Sequence, residues 1–262
     1  MNRAAVFLLC VAPAVAASNF SSPLVGLTGD AQGKLHLVHG VAGSFVVRGA
    51  IAGQALDWAF AASGGLLKTA DELRVLDAQG NVIGRRTASE SQVLLNPRYA
   101  FFPETGELWP ASAHRDRALL IQSAAVGGRV IALGPADQRE IVLAACRGDH
   151  LWLLTFDITS GALKHESAPG GTIGEQACQA AHRAALLVLE DRVLLANAHE
   201  IVIQTSTGQE RRLPIPRNHG TRIHRAGEDT VEIEMSGAPS FVLRFNSEGE
   251  RLYELPAAEA RP

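Results

Sequence analysis

The chain has 262 residues, 47% of them hydrophobic and 19% charged, with a formal net charge of −3. Such a composition carries enough apolar surface for a substantial core and excludes wholesale disorder. Its Lys and Arg residues are scattered, paired only at Arg85-Arg86 and Arg211-Arg212, which excludes the concentrated basic face that nucleic-acid binding requires.

The first element is an address. Met1-Asn2-Arg3 supplies a short positive region, AAVFLLCVAPAVA an apolar stretch, and Ala14-Val15-Ala16 a small-x-small cleavage site. Residues 1–16 therefore read as a secretory signal peptide cleaved before Ala17, with an exported, periplasmic or secreted product. The apolar stretch is too short for a comfortable bilayer span, so no membrane span is expected once it is removed. Residues 17–262 read as one domain.

Along the rest of the chain, hairpin-like passages recur. PLVGLTGDAQGKLHLV (residues 23–38) and LRVLDAQGNVIGRRTA (residues 73–88) share the tetrapeptide DAQG between two strand-like runs. LLIQSAAVGGRVIAL reads as a degenerate copy, LWLLTFDITSGALKHE carries the turn with one residue inserted, and the last two copies contain TSTG and NSEG. The turn glycines are Gly33, Gly80, Gly127, Gly161, Gly208 and Gly249, separated by 47, 47, 34, 47 and 41 residues. Asp, Thr or Asn opening such a turn can bond the backbone two residues on, and Gly accepts the positive φ that closes it.

A second, shorter turn precedes each hairpin: LLKT-ADE-LRVL, ELWPAS-AHRDR-ALLIQ, IVLAAC-RGD-HLWLL, VLLAN-AHE-IVIQ and VEIEM-SGAPS-FVLRF. Further back, ALDWAFAA, AALLVLED and RIHRAGED read as one more strand per unit. Only EQACQAAHRAALLVL (residues 175–189) has helical character, and its Leu-Leu-Val-Leu end suits a strand better. The expectation is an all-β chain of three- or four-stranded antiparallel units repeating every 40 to 47 residues.

Units of this size and period resemble the blades of a β-propeller, and the pattern over residues 23–256 is similar to that of the quinoprotein-like and WD-repeat-like propellers. The resemblance implies about five or six blades around a channel, with a two-sheet β-sandwich as the alternative. Subfamily marks are missing. No unit closes with Trp-Asp, and where a quinoprotein repeat would place a Trp after Asp157-Ile158-Thr159-Ser160-Gly161, this chain has Lys164-His165.

The short turns collect ionisable residues: Asp71 and Glu72, His114 and Asp116, Asp149 and His150, His199 and Glu200. Equivalent turns on successive blades share one rim, where carboxylate and imidazole together can bind a metal or move a proton. Polar turn residues also simply satisfy backbone groups and keep loops solvated. Arg147-Gly148-Asp149 falls in the same series, so it reads as a turn and not as an adhesion motif. Trp58, Trp109 and Trp152 read as fillers between blades, and Trp109, beside loop signals in PETGELWPAS, is also a ligand-contact candidate. Nine histidines form no metal-ligand spacing, and the glycine pairs lack the setting of a phosphate loop.

Removing the signal leaves Cys146 and Cys178. In an oxidising compartment they form a disulfide candidate, and closing a loop of about 30 residues would contribute about 3 to 4 kcal/mol; the alternative is two separate buried thiols. Taken together, these readings point to a monomeric, non-catalytic exported propeller without a cofactor, binding a protein, peptide or glycan on one face. The alternative is a propeller hydrolase or lactonase whose divalent metal is held at the channel mouth by carboxylates from at least three blades.

Overall fold

A computed structural model of the chain describes residues 24–30, 33–41, 44–88, 92–112, 118–137, 139–169, 173–179, 185–217, 221–226, 229–235, 239–246 and 249–255. The signal segment, with Cys10, lies outside the described residues, as do His114 and Asp116.

The chain is a six-bladed β-propeller, each blade an antiparallel sheet formed by consecutive strands. Blade 1 holds β1 (Leu24–Gly29), β2 (Leu35–Val41) and β3 (Ser44–Ala52). Blade 2 holds β4 (Asp57–Ala61), β5 (Gly64–Lys68), β6 (Glu72–Leu76) and β7 (Val82–Thr87). Blade 3 is built of shorter strands, β8 (Leu94–Leu95), β9 (Tyr99–Phe102), β10 (Glu107–Pro110) and β11 (Leu119–Leu120). A single helical turn, α1 (Ser123–Val126), leads into blade 4: β12 (Arg129–Ala136), β13 (Glu140–Arg147), β14 (His150–Asp157) and β15 (Leu163–Ser167). Helix α2 (Ile173–Gln179) precedes blade 5, which is β16 (Ala185–Val188), β17 (Arg192–Ala196), β18 (Glu200–Thr205) and β19 (Glu210–Pro214). Blade 6 closes the chain with β20 (Thr221–Arg225), β21 (Thr230–Met235), β22 (Phe241–Asn246) and β23 (Gly249–Glu254).

Side-chain oxygens fix the turns. Asp77 accepts the N–H groups of Gln79 and Asn81 at 2.9 and 2.8 Å, and Gly80 takes a φ of +83°. Asp157 does the same for Thr159 and Ser160 at 2.9 Å each, before Gly161 at +70°. The N–H donors of Ser160 and Thr159 stabilise the Asp157 carboxylate and pull its pKa down to about 2.

Both faces of a blade are packed, which is why burial along the strands does not alternate cleanly. On β22, Phe241, Leu243 and Phe245 lie against the cluster shared with blade 5, while Val242 lies against blade 1. Each gap between neighbouring blades holds one apolar cluster. The one between blades 6 and 1 is the thinnest, built on Val38, Val242 and Leu255, with Phe45 edge-on to Tyr253. In the gap between blades 4 and 5, α2 contributes Ile173 and Ala177, and Cys178 on this helix is joined to Cys146 at the end of β13 by a disulfide.

The repeat register departs from the sequence reading in three places. The Asp30–Gly33 turn joins β1 to β2, whereas the identical tetrapeptide at Asp77–Gly80 joins the third strand of blade 2 to its fourth. Gly127 follows α1 on the crossover into β12 and closes no hairpin. ELWPAS and ALLIQ carry the third and fourth strands of blade 3, so the segment with His114 and Asp116 is not equivalent to the short turns of blades 2, 4 and 5. One local chemistry, an Asx-type turn closed by Gly, serves hairpins at different positions in a blade, so the motif does not reveal which strands it joins.

Blade 1 also has one strand fewer than the others among the described residues, and the sense of β1 shows which. Along β1, Gly26 lies against Ala226 just past the end of β20, Thr28 bonds Glu232 on β21, and Gly29 lies against Glu234 and Trp58. β21 runs from the Arg225 level to the Thr221 level of β20, so β1 runs alongside β21 and opposite to β20. That is the direction of a second strand. Among the described residues no strand fills the first position of blade 1, and β20 packs on β4.

Candidate functional site

The remaining five first strands, β4, β8, β12, β16 and β20, wall the channel. At the end where they begin they enclose a cavity of about 420 Å³. Three of them offer it apolar groups only: Leu94 and Leu95 on β8, Ile131 to Leu133 on β12, and Ala185 to Leu187 on β16. Among the described residues the charged lining belongs to blades 2 and 6, with Asp57, Lys68, Arg222, His224 and Arg225.

The seam between these blades is held by a buried polar cluster. His224 on β20 is only 4% exposed and stacks on Trp58 of β4 with ring centroids 3.8 Å apart and planes 16° from parallel. Its Nδ1 lies 3.1 Å from Asp57 Oδ1, and Nε2 lies 3.6 Å from Glu234 Oε2. Burial works against the charged imidazole, but the contacts to Asp57 and Glu234 and the nearby Glu232 prevail and raise its pKa to about 9. The same contact to His224 holds Glu234 below the usual carboxylate range.

Glu232 serves a different purpose. It is fully buried directly opposite His224 on the paired strands, accepts the Thr28 hydroxyl, and takes a bond from the Gly29 backbone. Among the described residues no strand pairs with the inner edge of β1, so its polar groups require another partner. The Glu232 side chain provides one. Burial pushes the pKa of this carboxyl up to about 8, against the opposing pull of His224 and Thr28, so at neutral pH it is mostly the uncharged acid.

At the opposite mouth, a cavity of about 310 Å³ is lined by Ser63, Asn96, Arg98, Glu190 and Arg225 among others. There Arg225 and Glu190 pair at 3.0 Å.

Of the rim residues read from the sequence, the described ones, Asp71, Glu72, Asp149, His150, His199 and Glu200, line neither of the two channel cavities. Glu200 is engaged by Arg212 at 3.1 Å within blade 5, and the His199 N–H bonds Asn197 Oδ1 at 3.2 Å. His150 opens β14 and is exposed, its backbone paired with Arg147 on β13. Trp109 lies in the apolar cluster between blades 2 and 3, with the Arg86 guanidinium 3.1 Å over its ring and its indole N–H on Glu107 at 3.2 Å. Trp58 and Trp152 do lie between or against blades. Among the described residues, no three His, Cys, Asp or Glu side chains are gathered as a metal site.

The seam cluster escaped the sequence reading, although a signal exists. VEIEM on β21 places Glu232 and Glu234 two apart on one face of a strand flanked by apolar residues, and RIHRA on the adjoining strand carries a lone His. Charges at alternate positions of a core strand are costly unless paired.

No protein family's sequence profile matches the chain, and no curated protein matches it. Solved structures resemble it weakly. PorZ, a bacterial surface component of the type-IX secretion system of Porphyromonas gingivalis, aligns at 15% identity and a TM-score of 0.45 over 90% of this chain. This chain spans only 31% of the PorZ chain. The β-propeller domain of Myceliophteria thermophila Cps50 (Swd1) aligns at 15% identity and a TM-score of 0.42, covering 80% of this chain and 68% of that one. Hsv2p of Kluyveromyces lactis aligns at 11% identity and a TM-score of 0.41, covering 85% and 79%. By its own sheet topology the chain is a divergent six-bladed propeller.

Proposed function

We propose that the protein is an exported, monomeric, non-catalytic propeller that binds a protein, peptide or glycan partner on one face of the ring, the face at which the first strands begin. The observation carrying this reading is the cavity of about 420 Å³ at that face, walled by five strands of a rigid ring. It falls in the size range of ligand sites, and its lining combines apolar walls from β8, β12 and β16 with polar groups from blades 2 and 6. Around its mouth, Leu56 is 46% exposed, and Gln92 and Arg222 are exposed as well. The imidazole and carboxylates of the seam support a binding role because they are committed to holding blades together: His224 to Asp57, Trp58 and Glu234, and Glu232 to β1.

The test is site-specific photo-crosslinking in the native host, with a benzoylphenylalanine placed at Leu56 or, on the other face, at Ser63. A discrete adduct from Leu56 and none from Ser63 is expected. Equal adducts from both positions, or none from either, would overturn the assignment. The export element is tested by mass spectrometry of the same material: a mature chain starting at Ala17 is expected, and retention of Met1 would remove it.

A further inference from the structure

The outer strands of the blades are not alike. Those of blades 2, 4, 5 and 6 each carry at least two charged residues and tie at least one of them back into the ring. Arg85 pairs with Glu72 at 3.9 Å, Lys164 with Glu140 at 3.1 Å, Arg212 with Glu200 at 3.1 Å, and Glu250 with Arg192 at 3.3 Å. Charges so placed keep an open strand edge from pairing with another chain. Blade 1 lacks this protection. Its outer strand β3 is the longest among the described residues, has one charged residue, Arg48, in nine, and pairs on one side only, with β2. Arg48 is exposed and makes no ion pair or side-chain hydrogen bond with the described residues, and neither β2 nor β3 holds a carboxylate. The register shows which part of the edge is open. Val41 pairs with Ser44 across two residues, the spacing at which the closing pair exchanges both backbone bonds, so the bonded pairs continue as His39 with Val46 and Leu37 with Arg48. The N–H and C=O groups of Phe45 and Val47 therefore point away from β2. Beyond Arg48, Gly49 at φ +28° and Ile51 fall outside the register, so the straight edge ends there.

We propose that the Ser44–Arg48 edge takes an extended segment of a partner protein as a further antiparallel strand of blade 1, the segment being acidic opposite Arg48 and β-branched opposite Val47, Val46 and Phe45. The backbone groups of Phe45 and Val47 supply the ladder, and antiparallel pairing makes the better use of them. Cross-strand neighbours supply the selection. Val46 is 41% exposed, so a β-branched residue beside it covers apolar surface, and a carboxylate opposite Arg48 gives the guanidinium its counter-ion. The site lies on the circumference of the ring, since β3 is the strand of its blade farthest from the channel, and it goes beyond the binding face assigned above.

The experiment uses the mature protein and the peptide fluorescein-Gly-Ser-Glu-Val-Thr-Val-Thr-amide, read by anisotropy. In the proposed register its two valine N–H groups face Val47 and Phe45, and its two threonine N–H groups face away. Saturable binding is expected, abolished by N-methylation of both valines and kept when both threonines are N-methylated instead. Lys in place of the peptide Glu should weaken binding by roughly threefold to tenfold, the size of one reversed cross-strand charge pair, and Arg48→Glu should invert that order. Because the methylated peptides are compared on the wild-type chain, the result does not depend on whether a variant folds. Equal behaviour of the two methylated peptides, or no binding of the parent peptide, overturns the inference, and equal binding of the Glu and Lys peptides overturns its acidic position. Sedimentation of the protein alone as a dimer that Val46→Asp dissolves would assign the edge to a second copy and overturn it too. Crosslinking from Leu56 reads the other surface, so the binding face is judged separately.

Discussion

Replacing Glu232 by Gln tests the claim that this buried carboxyl works as a neutral group. Its pKa is raised from 4.5 to about 8. An acid whose folded pKa is raised holds its proton longer in the native state, so stability is flat below pH 4.5 and falls as pH rises from there to about 8. At 1.36 kcal/mol per unit, the loss attributable to Glu232 is at most ~5 kcal/mol. Gln cannot ionise and keeps a carbonyl for the Thr28 hydroxyl. The two proteins should therefore agree to within about 1 kcal/mol at pH 4.5, the worth of one altered hydrogen bond. Above pH 8, E232Q should be the more stable by several kcal/mol. Groups that do not interact with Glu232 are common to both chains and cancel in the difference, leaving Glu232 together with its coupled neighbours His224 and Glu234. Urea denaturation at pH 4.5, 6, 7.5 and 9 measures it directly, because the gap in midpoint times the slope gives the gap in stability. A difference that does not change with pH would refute the reasoning and show that the carboxyl is already ionised in the fold.

Other consequences are equally measurable. His224, raised from 6.5 to about 9, contributes stability that is complete below pH 6.5 and is lost as pH rises through 9, so H224F should flatten the alkaline limb that remains in E232Q. Replacing both Cys146 and Cys178 by Ala opens a loop of sequence separation 32, at a cost of about 3 to 4 kcal/mol and ~6 to 16 °C in Tm; an unchanged melt with and without reductant would count against the bridge. Gly64 sits at φ +112°, and an added Cβ would lie 2.3 Å from the Leu76 carbonyl oxygen, whereas Gly208 at +83° opens on free space. Gly208→Ala should therefore cost about 1 to 2 kcal/mol and Gly64→Ala clearly more, an order that urea midpoints would reverse if backbone crowding were unimportant. Asp157, lowered to about 2, contributes stability present above pH 3.8 and lost as pH falls through 2, so the midpoint advantage of wild type over D157N should close across that range.

The blades were legible in the sequence because strand, turn and period are local properties. Asp77 and Gly80 declare a hairpin whatever surrounds them, and the Leu-Leu-Val-Leu end of the one helical segment did become a strand, β16, after the short helix α2. What the turn motif could not declare was its place in a blade, because Asp30–Gly33 and Asp77–Gly80 are chemically the same and differ only in which strands they join. That blade 1 has three strands among the described residues was invisible for the same reason. At the rim the sequence left open whether His150, His199 and Glu200 converge or simply serve their turns; the Glu200 carboxylate pairs with Arg212 within blade 5, the His199 N–H bonds Asn197, and His150 is exposed. The seam cluster depends on strands more than 160 positions apart in sequence, Trp58 against His224, a juxtaposition that no periodicity encodes.

The contact between Thr28 and Glu232 spans 204 positions and joins the first blade to the last. Forming it restricts nearly the whole chain, with a loop-closure cost near 5 kcal/mol before any constant, and nothing compensates until both ends have folded. Five blades can assemble from neighbours as synthesis proceeds, but the ring cannot shut until blade 6 exists. A long gap between local sheet formation and final closure follows, with β1 presenting an unpaired edge throughout, a species prone to pairing with other chains. The acid held by Glu232 is thus also the last latch of folding, and truncation a few residues before it should yield a protein with native-like strands that never becomes a ring.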